Sequence, residues 1–236
     1  MKYCTITPDR GDRPQLLDFC NHQLDRMTGL QNRLLANGDP VNDKCDIVPR
    51  IKYGVERSKK TWKTLDPGAA DRRFIMTVVD SEIDWAFIIE NDDYYPADYI
   101  QNLLPLLDGL DFIGWQNTFY YNIKTLKYSR FEHETHSSLF CTGFRLSALD
   151  DFKWPKDDDP FLDIALWKHA KQSGKNWKLL RSDNPCLGIK GHGMGKMGGK
   201  GHRIDLQRHD PQMQFLRSRV DKDSFEFYRN LHNSVK

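Results

Sequence analysis

Five uninterrupted apolar residues, Trp85 to Ile89, run directly into Glu90-Asn91-Asp92-Asp93. A short apolar run with no helical period reads as a strand buried on both faces, here ending in carboxylates. Upstream, "KYCTIT" reads as a first strand, stopped by Pro8 and Gly11. Behind Pro14, the residues Leu16, Leu17, Phe19, Cys20 and Leu24 recur at close to helical spacing. "CDIVPRI" suggests a short second strand, weakened by Pro49. "GAADRRFIMTVVDSEI" places Ala70, Phe74, Ile75, Val78, Val79 and Ile83 on one helical face. Strand, helix, strand, helix, strand predicts an α/β sheet with parallel members.

The second half has a different texture. "ADYIQNLLPLL" reads as a helix and "DFIGWQ" as a strand, and "TFYYNIKTLKYSRF" reads as a hairpin turning near Asn122–Thr125. "SLFCTGF" suggests another strand. "PFLDIALWKHAKQSG" is an amphipathic helix with proline near its start and glycine after its end, and "NWKLL" is one more strand. From Gly188 to Gly201 half the residues are glycine, a composition expected to form neither helix nor strand interior. No internal repeat and no linker between independent domains is visible.

Composition narrows the picture only a little. At 236 residues and 39% hydrophobic, the chain can bury a sizeable core. A net charge of +2 says little about partners. No window approaches the roughly 18 apolar residues of a membrane span, and "MKYCTITPDR" lacks a signal-peptide core. Cys4, Cys20, Cys45, Cys141 and Cys186 are odd in number and form no CxxC pair. That usage fits a reduced, cytoplasmic setting.

The carboxylates raise the chemical question. In open α/β sheets, ligands bind beyond the carboxyl ends of the strands. In extended backbone, Glu90 and Asp92 point to the same side. Two like charges that close favour a cation between them or solvent around them. Oxygen donors suit Mg²⁺ or Mn²⁺, and Mg²⁺ is commonly held by one or two carboxylates plus substrate phosphates. The alternative is a solvated acidic turn after a core strand.

Three stretches resemble GT-A glycosyltransferases of the family-2-like kind. "TITPDRGDRPQLLDFCNHQL" resembles their opening, in which a strand ends in Thr-Pro, a short loop carries Arg-Pro and a helix begins. "GAADRRFIMTVVDSEIDWAFIIENDDYYPADYI" resembles their middle, with a DxD-type motif that here reads Glu-Asn-Asp-Asp. "CTGFRLSAL", followed by "DDDPFLDIALWKHAKQSGKNWKLL", resembles their acceptor-side half. The region matching the family's base-reading loop, "CDIVPRIKYG", offers no clearly equivalent acid.

The resemblance implies a GT-A-like Rossmann-type sheet of mostly parallel strands with flanking helices and a smaller acceptor-side hairpin region. Its catalytic domain would span 1–190, with a nucleotide-sugar half at 1–96 and an acceptor half at 97–190. A glycine-rich basic loop and a helical tail would follow over 191–236. The implied activity is transfer of a hexosyl or pentosyl group from a nucleotide sugar, such as a UDP-sugar, to a hydroxyl. The implied ion is Mn²⁺ or Mg²⁺, held by Asp92 and Asp93 with His192 of the glycine loop. Glu90 and Asp92 would face the donor, as would Thr7, Pro8, Asp9 and Arg10 at the end of the first strand and Arg72 or Arg73 further on. Asp163, at the start of its helix, is the candidate general base, with Asp157, Asp158 and Asp159 as competitors. Each position also has a plain structural reading: a turn, a solvated helix face, or an acid that stabilises a helix N-terminus.

Charge adds a question about the acceptor. Residues 171–208 hold nine Lys or Arg against Asp183 and Asp205. Such a segment could meet a donor diphosphate or a polyanion such as DNA. Tyr120, Tyr121, Tyr128 and Phe131 could stack on a sugar or base, or simply pack in the sheet. Phage enzymes that glycosylate modified DNA bases offer an analogy, placing the chain in a host cytoplasm. A nucleotidyltransferase acting on a sugar phosphate and a non-catalytic glycan- or nucleic-acid-binding protein are the competing classes.

Overall fold

The apolar run that opens onto the acids lies at the centre of the main sheet. In the computed structural model, the described residues are 1–8, 13–27, 32–36, 46–48, 61–65, 73–77, 83–153, 162–194 and 207–235; for 32–36, 46–48, 61–65 and 73–77 only the backbone is described. Strand β6 (Ile83–Ile88) pairs in parallel with β1 (Lys2–Pro8) and antiparallel with β10 (Gly143–Arg145). The seven-stranded order is β11-β7-β10-β6-β1-β2-β3, completed by β2 (Asn32–Ala36), β3 (Asp46–Val48), β7 (Phe112–Trp115) and β11 (Trp177–Leu180). Every pairing except those of β10 is parallel. The expected mixed α/β sheet with flanking helices is therefore present.

The continuous apolar run follows from burial on both faces. Ala86 and Ile88 face one layer, where Leu162, Leu166, Trp167 and Ala170 of α3 (Leu162–Gln172) pack. Trp85, Phe87 and Ile89 face the other, formed by Cys20 and Leu24 of α1 (Pro14–Arg26) with Tyr99, Ile100 and Leu103 of α2 (Tyr99–Leu103). Both faces being dry from Trp85 onward, no polar alternation is left there, and Asp84 near the start of β6 is exposed. The helix expected beyond Ala97 stops early: α2 tightens into a 3₁₀ turn over Leu104–Leu106, where Pro105 cannot donate to the helical ladder.

Four expectations need correction. Within the helix expected over 68–83, the described residues are not helical: Arg73–Thr77 is strand β5, antiparallel to β4 (Thr61–Leu65), and Ile83 opens β6. Phe74-Ile75-Met76-Thr77 is short, contiguous and partly β-branched, which suits a pleated strand as well as a helical face. A parallel strand, β2, precedes the one expected at "CDIVPRI". Of "SLFCTGF", only the last part becomes β10, because Leu139–Cys141 forms a 3₁₀ turn.

The glycine-rich stretch is not wholly without regular structure either. Leu187–Lys190 is strand β12, parallel to β8 (Asn117–Asn122). Gly188 serves there as a site of close approach, since a Cβ would lie 2.4 Å from the Tyr120 ring.

β8 and β9 (Lys127–Glu132) form the expected hairpin, and with β12 and β13 (Arg208–His209) they make a four-stranded sheet. The aromatic candidates on this hairpin are packed inward. Tyr120 and Tyr121 are buried, Phe131 meets the Tyr120 ring edge-on, and Tyr128 stacks on Phe215 at 3.7 Å. Helices α4 (Gln214–Arg219) and α5 (Lys222–Ser234) close a third apolar cluster against Leu16 and Phe19 of α1. Cys4, Cys20, Cys141 and Cys186 are buried free thiols. No helix among the described residues is long and apolar enough to cross a membrane.

Asp221 ties this tail to α1. Its side chain caps α5 by accepting from the Ser224 amide at 3.0 Å and takes both Arg26 guanidinium nitrogens at 3.0 and 3.1 Å. Burial pushes its carboxyl up, but the Arg26 and Ser224 hydrogen bonds outweigh that and hold it below the usual range. Its stabilisation is therefore present above the unfolded carboxylate value and is lost as pH falls through the lower folded value. Asp221→Ala should cost about 1 kcal/mol, chiefly from the lost cap since the ion pair is partly solvated. Urea denaturation at neutral pH should show this loss, and it should shrink at pH 3.

Candidate functional site

The parallel strands β1 and β6 end side by side, and the site is built there. Ile89 donates to the Ile6 carbonyl at 2.9 Å, which sets Thr7 and Pro8 beside Ile89 and Glu90. Beyond β6 the chain turns sharply and is pinned from three sides. The Glu90 amide donates to the Tyr95 hydroxyl at 2.8 Å. Gln23 of α1 donates to the Asp93 carbonyl at 3.1 Å and accepts from the Tyr95 amide at 2.9 Å. Tyr94 and Leu187 exchange backbone hydrogen bonds at 2.9 and 3.1 Å, which joins the turn to β12.

This scaffold gathers Glu90, Asp92 and Asp93, all buried, with one oxygen from each within 4.8 Å of the others. Their environments differ. Asp93 Oδ1 accepts from the Ile189 amide at 2.7 Å and lies 3.7 Å from Lys190 Nζ, whereas its buried Oδ2 has no hydrogen-bond partner among the described residues. Burial holds the Asp93 carboxyl well above the usual range; Lys190 and the Ile189 amide oppose this, while the Asp92 and Glu90 charges add to it. Asp92 goes the other way. Burial pushes it up, but the charges of Arg13 and Lys190, together with His192, outweigh burial and hold it well below the ordinary carboxylate value. Arg13 Nη1 donates to Asp92 Oδ2 at 2.7 Å, with both side chains about nine-tenths buried.

His192 joins the same cluster. It lies between Gly191 and Gly193, at φ 71° and 73°, a left-handed backbone that glycine adopts without strain. The kink turns the ring inward, fully buried, with Nε2 3.3 Å from Asp92 Oδ2. Nε2 faces that carboxylate without a well-aligned hydrogen bond among the described residues. Nδ1 accepts from the Met194 amide at 3.1 Å, so a neutral ring carries its proton on Nε2. Three hard carboxylate oxygen donors, with Asp93 Oδ2 unpartnered among the described residues, fit a divalent cation of the Mg²⁺ or Mn²⁺ type, which the imidazole could join only with its proton on Nδ1.

The remaining predicted residues fall into three groups. Asp163 is the second residue of α3 and half-buried, with Oδ1 accepting from the Ile164 amide at 3.0 Å. Burial pushes the Tyr120 hydroxyl up and the Ser138 hydrogen bond opposes it, while the charges of Asp93, Glu90 and Asp163 add to the rise. Arg73 lies on β5, whose backbone approaches β1, β2 and β3. Asp9, Arg10, Arg72, Asp157, Asp158 and Asp159 lie outside the described residues.

Sequence reasoning missed Arg13, Gln23 and Lys190 as members of the site. Arg13 stood in the Arg-Pro that precedes α1, and Lys190 was counted only as part of a basic segment. Among the described residues of that segment, Lys175 pairs with Asp151 at 3.2 Å and Lys171 sits 4.9 Å from the Trp177 ring centroid.

The mixed, mainly parallel sheet with its flanking helices has a counterpart among solved structures. The particular likeness is to S. aureus TarS, a glycosyltransferase. TarS residues 1–349 in complex with UDP-GlcNAc superpose with a TM-score of 0.55 at 10% identity, over 86% of this chain and 62% of that one. The UDP complex of the same TarS fragment gives 0.49 at 10% identity, over 81% and 62%. At 10% identity the likeness to the UDP-GlcNAc complex is one of fold. This chain spans 62% of the length of that TarS fragment. No protein-family profile and no curated protein matches the sequence.

Proposed function

We propose that the protein is a metal-dependent glycosyltransferase that moves a sugar from a nucleotide-sugar donor to an acceptor hydroxyl. The observation that carries this is the convergence of Glu90, Asp92 and Asp93 at the end of β6, with the orphaned Asp93 Oδ2 and His192 Nε2 in the same cluster. TarS, whose fold this chain shares, was crystallised with UDP-GlcNAc, which supports a UDP-sugar as the first donor to test.

Asp92 and Glu90 would hold Mn²⁺ or Mg²⁺ at the edge of the turn, with Asp93 behind them and His192 completing the set. When bound, the ion supplies Lewis-acid neutralisation of the leaving diphosphate. His192 can join only if its ring proton moves to Nδ1 and the Met194 amide lets go, so the ring and the Gly191–Met194 backbone would change together. Thr7 and Pro8, with Asp9 and Arg10 following them, would face the base, and Arg72 or Arg73 the phosphates. Asp163 would take the acceptor's proton as the hydroxyl attacks. Its position in the first turn of α3 and its bond from the Ile164 amide both favour the carboxylate form, which limits its basicity. For the acceptor, a sugar or small-molecule hydroxyl is favoured over DNA, because the hairpin aromatics are packed inward and Lys171 and Lys175 of the basic segment are engaged with Trp177 and Asp151, leaving Lys190 at the site.

A melting-temperature screen of nucleotide sugars with and without Mn²⁺ tests this reading. A donor at 100 times its Kd should add about 2.7 kcal/mol, a rise of several degrees, only when Mn²⁺ is present. No shift with any nucleotide sugar in either condition would remove the proposal.

A further inference from the structure

We infer that Arg13 is a displaceable counter-ion: its guanidinium occupies Asp92 when no divalent cation is bound and passes to the diphosphate of the nucleotide when one is. The inference rests on the metal reading above and adds to it a coupling between ion and nucleotide. Arg13 Nη1 and His192 Nε2 approach the same oxygen, Asp92 Oδ2, at 2.7 and 3.3 Å. A divalent ion on that oxygen would lie within a few ångströms of a guanidinium, in a place where both side chains are about nine-tenths buried. Like charges at that separation repel strongly away from bulk water.

The backbone of Arg13 is fixed while its side chain has a second place to go. Its carbonyl accepts from the Leu16 and Leu17 amides, both at 3.1 Å, so the residue is anchored to the first turn of α1. Three methylenes separate that anchor from the charged fork. A planar guanidinium pairs with phosphate oxygens as readily as with a carboxylate, commonly through two parallel hydrogen bonds. A nucleoside diphosphate brings those oxygens to the strand end as the ion arrives. Arg13 therefore opposes the ion bound alone and favours the ion bound with diphosphate, so each ligand strengthens the other.

Calorimetric titration of Mn²⁺ alone, and of UDP at saturating Mn²⁺, into wild type, Arg13→Gln and Arg13→Lys tests this. Arg13→Gln should bind Mn²⁺ alone about tenfold more tightly and UDP about tenfold more weakly, as expected for one buried charge-assisted contact. Arg13→Lys keeps the charge but loses the fork, so its Mn²⁺ affinity should stay near wild type while its UDP affinity falls severalfold. Should Arg13→Gln fail to fold, the lysine variant carries the test, and unchanged UDP affinity there overturns the inference. Weakening of both ligands in Arg13→Gln would make Arg13 a mere support for Asp92 and overturns it too. A wild type that binds no Mn²⁺ removes the metal reading together with this one. A wild type that binds Mn²⁺ as tightly as Arg13→Gln removes only the role of Arg13.

Discussion

Asp92→Asn should lower sugar transfer by about a thousandfold, the size expected when a ligand of an ion that neutralises several kcal/mol of leaving-group charge is lost. Asp92 is held in its charged form by Arg13 at 2.7 Å and by Lys190 and His192 around it. Asparagine keeps the shape and leaves an amide oxygen to accept from Arg13, so the fold should survive. Circular dichroism and melting on the same preparation separate lost chemistry from lost structure. Transfer assayed over a range of Mn²⁺ concentrations completes the test, because the loss should persist at every one of them.

Trp167→Ala should be the most damaging of the core changes. Trp167 is fully buried, packs on Phe112 and donates from Nε1 to Thr142 Oγ1 at 3.1 Å. Removing so large a buried ring typically costs 3–5 kcal/mol, of order 10 °C of melting temperature in a domain of this size. The effect should also reach the site, since the Thr142 carbonyl accepts from the Ile88 amide at 3.0 Å, at the point where β6 opens onto Glu90. Trp167→Phe restores most of the volume but leaves Thr142 without its indole donor, so it should recover most, though not all, of the stability. Thermal melting of the two variants measures this.

Some of the molecule could be read directly from residue order. The Trp85–Ile89 run is legible because a strand dry on both faces leaves an unbroken apolar signature. The acids after it are legible because charge seldom follows such a strand without a task or solvent. His192 is signalled by the glycines on either side, which adopt the left-handed backbone that turns its ring inward. Arg73–Thr77 was not legible, because a short apolar run satisfies both periods and only its pairing with Thr61–Leu65 decides between them. Arg13 and Lys190 were hidden for a different reason. They reach the carboxylates across 79 and 97 residues of sequence, through the register of β1 against β6 and of β12 against β8. Gln23 sits on a helix whose periodicity announces its buried face but not that an amide on it ties down the Asp93 turn.

The claim that supports all the others is that a divalent ion and a diphosphate meet at the end of β6. Electron paramagnetic resonance of free Mn²⁺, titrated with the protein in the presence and absence of UDP, addresses it most directly. The account predicts one Mn²⁺ bound per chain, held more tightly with UDP and lost in Asp92→Asn. Mn²⁺ that stays free at every protein concentration, or that binds Asp92→Asn as well as wild type, would contradict it.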